Sequence, residues 1–190
     1  MKKPLVFLAM MLCAISAYAD QSVVSWWDKT FLAPDRHLGL VHAYEQFQPE
    51  QIKQYAVLLQ DGIPAEQPPN FITWQDYDYR VAVIDGQKIK TRRGKAYTRL
   101  RKGTVLAVVA PDHFANRLYV KLISAEPYRA ADDHAKEIVR VTVMLGFKFP
   151  RSVLRKNDPA LLQQTLDQWL KLFSTRAEAE QFALAQQQVQ

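Results

Sequence analysis

The spacing of apolar residues changes twice along the chain, and the changes divide it into three stretches. Across residues 22–61 the spacing is helical. Val23, Val24, Trp27 and Phe31 form a first group, which Pro34-Asp35 interrupts; Leu38, Val41, His42 and Phe47 form a second. Pro49 suits the opening turn of a third helix, because a proline there gives up no hydrogen bond. Ile52, Tyr55, Ala56 and Leu59 supply its apolar stripe, with Gly62 as its stop. Segment 63–70 holds Pro64, Pro68 and Pro69 and reads as an extended linker.

From residue 71 the pattern becomes that of strands. Residues 79–84 are rich in strand formers, Asp85-Gly86 predicts a tight hairpin turn, and residues 87–91 supply the returning strand. Further strands are expected over 96–100, 104–110 and 117–124, with a turn at Arg101-Lys102-Gly103 and a loop over 111–116. Leu118, Val120 and Leu122 share one strand face. Residues 138–149 read as one or two strands, with Gly146 a candidate bulge. Helical spacing then returns. Asp158 caps a helix opened by Pro159, whose face carries Leu162, Leu166, Trp169, Leu170 and Phe173. Thr175 and Glu178 have capping-box spacing for a last helix. The expected fold class is α+β: a small antiparallel sheet or SH3-like barrel flanked by N-terminal and C-terminal helices. The expected segments are a cleaved leader over 1–19, a helical segment over 20–62, a β-rich module over 71–150 and packed helices over 158–190.

The leader follows from residues 1–19, where Lys2 and Lys3 precede an apolar run from Leu5 to Ala17. That run is short for a membrane span, and Ala17-Tyr18-Ala19 offers small residues for cleavage before Asp20. The reading is an exported, periplasmic protein with no transmembrane segment after cleavage. Cys13, the one cysteine among 190 residues, would leave with the leader, and so no thiol or disulfide chemistry is expected in the mature chain. Charged residues are 23% and apolar residues 48%, values of an ordinary folded domain. The net charge of +6 includes Lys2 and Lys3.

The excess of positive charge is local. Residues 86–111 contain no acid, and Lys88, Lys90, Arg92, Arg93, Lys95, Arg99, Arg101 and Lys102 crowd into fifteen positions. On strands, Lys88, Lys90 and Arg92 point one way, and Arg99 and Arg101 do likewise. Such a field suits an anionic partner: a lipid headgroup, an acidic polymer or an acidic protein surface. It equally suits a solvated sheet face or an edge that repels other strands. Nucleic acid is not expected as a partner of an exported chain.

The run Gly103-Thr104-Val105-Leu106-Ala107-Val108-Val109, a loop, and Arg117-Leu118-Tyr119-Val120-Lys121-Leu122 resemble part of a bacterial SH3-like module. The resemblance covers about residues 79–124. It implies a small β-barrel of a kind that often binds peptides or cell-wall polymer.

Catalytic and metal chemistry find little support. His37 and His42 are five apart, and neither they, His113 nor His134 falls in a metal-ligand motif. Ser22, Ser25, Ser124, Ser152 and Ser174 lack a nucleophile-elbow context, and the six glycines form no phosphate loop. Asp76 and Asp78 beside Tyr77 and Tyr79 suit a turn flank or a sugar-stacking surface. Trp26 and Trp27 lie about 100° apart on a helix. Either one of them is a docking anchor or both share a broad apolar face. No catalytic residue, metal or cofactor is expected. The candidate binding residues are Lys88, Lys90, Arg92, Arg93, Lys95, Arg99, Arg101, Trp26 and Trp27. The expected function is a non-catalytic periplasmic accessory or adaptor protein that binds another envelope component. The alternative is a binding module for an anionic polymer or lipid headgroup through the basic hairpin, and a third reading is a cell-wall or polysaccharide hydrolase.

Overall fold

A computed structural model of the chain describes residues 23–32, 51–66, 81–85, 88–91, 98–114, 117–129, 138–149, 151–156 and 158–188. The fold is α+β. Its strands are β1 (Tyr55–Leu58), β2 (Ile63–Ala65), β3 (Val81–Asp85), β4 (Lys88–Thr91), β5 (Thr98–Leu100), β6 (Val105–Phe114), β7 (Arg117–Ser124), β8 (Tyr128–Arg129), β9 (Ile138–Val139), β10 (Thr142–Lys148) and β11 (Leu170–Phe173). Its helices are α1 (residues 23–30), α2 (Arg151–Lys156), α3 (Pro159–Leu166) and α4 (Arg176–Gln187). None of these helices is long and apolar enough to cross a membrane.

Seven strands form one mixed sheet in the order β11-β1-β6-β7-β10-β3-β4. Neighbours run antiparallel except β10 and β3, which are parallel. β2 and β5 form a separate two-stranded ribbon, joined to the sheet by a bridge between Glu66 and Thr142. β8 and β9 form a second ribbon.

Both faces of the sheet are covered. The main core joins Leu106, Val108, Leu118, Val120, Leu122, Val143, Leu145 and Phe147 to Val23 and Trp27 of α1, to Phe31 just past its end, and to Leu162 and Leu166 of α3. The α1 residues recur every four positions, so one stripe of that helix meets the sheet. Its end is clamped by the buried Gln54, whose Nε2 donates to the Thr30 carbonyl (3.0 Å) while its Oε1 accepts from the Leu32 amide (3.1 Å). On the opposite face, Tyr55, Val57, Ala107, Val109 and Ile123 pack against Ala179 and Ala183 of α4. Thr175 and Glu178 cap α4 reciprocally, and Asp158 Oδ1 accepts the amides of Ala160 and Leu161 at the start of α3.

Several expectations are corrected. The third N-terminal helix does not form where expected: Tyr55–Leu58 is β1, between β11 and β6 and buried at all four positions. A strand covered on both faces reads as a continuous apolar run, which mimics a helix stripe. The stripe after Asp158 divides similarly. α3 ends at Leu166, Trp169 lies in the following turn, and Leu170–Phe173 is the edge strand β11. Part of the expected linker is the buried strand β2. The expected loop 111–116 is strand through Phe114. Pro111 pairs with Val120 of β7 and lies beyond the stretch of β6 that pairs with β1. The bulge lies at Val108/Ala110, and Gly146 keeps regular register with Tyr119 and Val83. The sheet is larger than expected and not wholly antiparallel. It takes β1 from segment 20–62 and β11 from segment 158–190. Residues 1–19, the 38–47 helical group, Asp76, Asp78, His37, His42 and His134 lie outside the described residues.

Candidate functional site

The basic cluster is divided between two places. Lys88 and Lys90 lie on β4, the outer strand of the large sheet, and both are exposed. Asp85 binds Lys90 (2.9 Å) and also Lys148 of β10 (3.2 Å). These two hydrogen-bonded ammonium groups hold the Asp85 carboxyl below its ordinary pKa. Part of the hairpin's charge is therefore internally balanced, and lysines on an outer strand also discourage strand addition. Arg92, Arg93 and Lys95 lie outside the described residues.

Arg99 and Arg101 belong elsewhere. The β2–β5 ribbon pairs Ile63 with Leu100, Pro64 with Arg99 and Ala65 with Thr98. Ile63, Ala65 and Leu100 are buried, whereas Arg99 points to solvent, with one guanidinium nitrogen donating to the Gly62 carbonyl (3.0 Å). The chain then turns through Arg101-Lys102-Gly103 into β6. Gly103 has φ +85°, a left-handed conformation that costs other residues about 1–2 kcal/mol.

Hydrogen bonds hold this turn from several sides. The Gly103 amide donates to the Leu58 carbonyl (2.8 Å), and the Lys102 amide donates to Asp61 Oδ1 (2.8 Å). Thr104 donates to the Arg101 carbonyl through its amide (3.1 Å) and its hydroxyl (2.7 Å). The Tyr128 hydroxyl in turn donates to Thr104 Oγ1 (3.3 Å). The backbone is fixed while the charged ends of Arg101 and Lys102 have no ion pair among the described residues.

This turn faces α4 across a cavity of about 650 Å³. Arg99, Arg101 and Lys102 stand on one side; Val105, Ala183 and the 60% exposed Leu184 supply apolar wall. Glu126 and Glu180 also line it, and Arg176 pairs with both, to Glu180 through Nε at 2.6 Å. These two acids of the lining thus have a cation of their own, while Asp61 meets the turn through the Lys102 amide. In the core beneath α4, burial raises the Tyr55 pKa against the opposing pull of Arg176 and Arg140. Burial also lowers that of Arg140, whose guanidinium donates to the Ser124 and Ala125 carbonyls.

The tryptophans are not a surface pair. Trp27 is fully buried, its Nε1 donating to the Tyr119 carbonyl (2.7 Å) and its ring set against Phe31 and Phe147 at 4.6 and 5.6 Å between centroids. It is therefore removed from the candidate binding residues. Trp26 is half-buried at the border of the same core. Sequence reasoning missed Lys102, Tyr128 and Leu184 as site residues. The basic run, which counted Lys102 and made candidates of Arg99 and Arg101, and the turn signal at Arg101-Lys102-Gly103 both pointed to the place; nothing pointed to Tyr128 or Leu184. Among the described residues, no three His, Cys, Asp or Glu side chains are grouped to hold a metal ion. Comparison with protein families, with curated proteins and with solved structures gave no match.

Proposed function

We propose that this chain is a non-catalytic, exported accessory protein that binds an anionic component of the cell envelope through the groove between the Arg101–Gly103 turn and α4. The observation that carries the reading is the placement of Arg99, Arg101 and Lys102 on one rim, without ion-pair partners among the described residues. Arginine matches phosphate and carboxylate in a forked geometry, and several cations in one field steer an anion more than any one alone. The likeness of residues 79–124 to SH3-like modules supports a binding role and is part of the proposal. So is the periplasmic location, which rests on the leader pattern of residues 1–19. Of the two tryptophans read as docking anchors, Trp27 is core, which leaves the half-buried Trp26.

Co-sedimentation with phosphatidylglycerol-containing vesicles tests the reading. Wild-type protein is expected to bind at low salt and to release near 1 M salt, where the Debye length has contracted to about 3 Å. Replacing Arg99, Arg101 and Lys102 together by Ser is expected to abolish binding, whereas Lys88→Ser with Lys90→Ser retains most of it. Equal binding by wild type and the triple variant, or equal binding to neutral phosphatidylcholine vesicles, would contradict the reading.

A further inference from the structure

From the groove's two unlike walls we infer that its ligand is a single anionic amphiphile: a phosphate- or carboxylate-headed molecule with an apolar arm. This rests on the anion-binding reading above and narrows it.

The cations lie on one wall only. Arg99 and Arg101 are exposed and Lys102 is half-buried, all within the ribbon and turn. The facing wall comes from α4, where Leu184 is, among the described residues, the most exposed of the large apolar side chains, at 60%; the buried Ala183 adjoins it, Glu180 and Gln187 line the same helix, and Val105 adds apolar surface from the start of β6. An exposed leucine alone is unremarkable. An exposed leucine opposite three cations, in a cavity of about 650 Å³, defines a place for a head and a place for a tail. The volume falls in the usual range for a small-molecule site, about 300–1,000 Å³. Charge complementarity selects the head. The apolar wall selects the arm, since removing each methylene from water is worth about fourfold in affinity. Thr98 and Thr104 add hydroxyls to the lining, although that of Thr104 is already engaged with Arg101 and Tyr128.

Calorimetric titration of the mature protein with three probes tests the inference. They are lauroyl lysophosphatidylglycerol below its micellar concentration, glycerol 3-phosphate, and lauroyl lysophosphatidylcholine. The lysophosphatidylglycerol monomer is expected to bind saturably at one site, and glycerol 3-phosphate at least roughly tenfold more weakly. Lysophosphatidylcholine is expected to bind no better than glycerol 3-phosphate. Leu184→Gln should weaken lysophosphatidylglycerol binding roughly fivefold and leave glycerol 3-phosphate unchanged, while Leu184→Met restores it. Leu161→Gln, at an exposed leucine outside the groove, should change neither.

Equal binding of glycerol 3-phosphate and lysophosphatidylglycerol would overturn the amphiphile while leaving the anion site standing. So would binding to anionic vesicles with none to the monomer, or an unchanged Leu184→Gln. Equal binding of lysophosphatidylcholine, or no binding to any anionic probe or vesicle, would overturn both readings.

Discussion

Trp169 is 4% exposed, and its indole N–H has no hydrogen-bond partner among the described residues. The two facts pull stability in opposite directions. The ring belongs to the main core with Leu162, Leu166 and Leu170, so Trp169→Ala should cost about 3–5 kcal/mol. Trp169→Phe also removes the unpaired donor, whose burial costs about 1–3 kcal/mol, and should therefore cost under about 1.5 kcal/mol. Denaturant melts of both variants check this; a phenylalanine variant as unstable as the alanine one would mean that the N–H is satisfied by bound water. The residue's burial was legible from its spacing after Leu162 and Leu166, even though it lies in a turn and not in the helix. Trp27 was legible for the same reason, through Val23 and Phe31, but its neighbour Trp26 obscured which of the pair faced inward.

Where local signals end an element, the sequence reads well; where only tertiary burial decides, it does not. Asp158-Pro159, Thr175 with Glu178, and the β3–β4 hairpin each carry a local cause, and each appears in the structure. In the hairpin, Asp85 is the last residue of β3 and pairs with Lys88, so it belongs to the ladder. β1 and β11 carry no such signal. Their short apolar runs, YAVL and LKLF, fit either period, and sheet pairing settles them as strands. Thr175→Ala should remove the α4 cap at a cost of about 0.5–2 kcal/mol and speed hydrogen exchange at the Glu178 amide, which donates to Thr175 Oγ1. Unchanged exchange there would show that the helix start is held by packing alone.

Asp85 ties three strands through Lys90 and Lys148, and its pKa is lowered in the folded state. A lowered folded pKa means that the unfolded chain binds the proton more readily. The contribution is present above the ordinary carboxylate value of about 4 and is lost as pH falls below it. Melts from pH 6 to pH 3 should show a loss in the wild type that is smaller in Asp85→Asn; equal pH slopes would mean the pairs contribute nothing measurable.

At the scale of the whole molecule, the groove was the least legible feature. Its lining comes from Thr98, Arg99 and residues 101–105, from Glu126 and Tyr128, and from Glu180, Ala183, Leu184 and Gln187, brought together because α4 packs on the sheet face that β1 and β6 present. The charge run suggested one continuous basic face, whereas the fold sends its two described parts to different sheets. The cations beside α4 also admit an internal role. The last turn of that helix has no basic residue of its own, and Arg101 and Lys102 line the groove with Ala183, Leu184 and Gln187. Cations near a helix C-terminus stabilise it by about 0.3–1 kcal/mol. Such a role predicts lower stability on their removal and no ligand.

An amide-resolved NMR titration with millimolar glycerol 3-phosphate separates the two roles. Binding at the groove predicts saturable shifts confined to residues 98–105 and 183–187, erased by 1 M salt and absent after Arg99, Arg101 and Lys102 are replaced by Ser. Shifts centred on Lys88 and Lys90, or no saturable shift at the groove at any concentration, would contradict it.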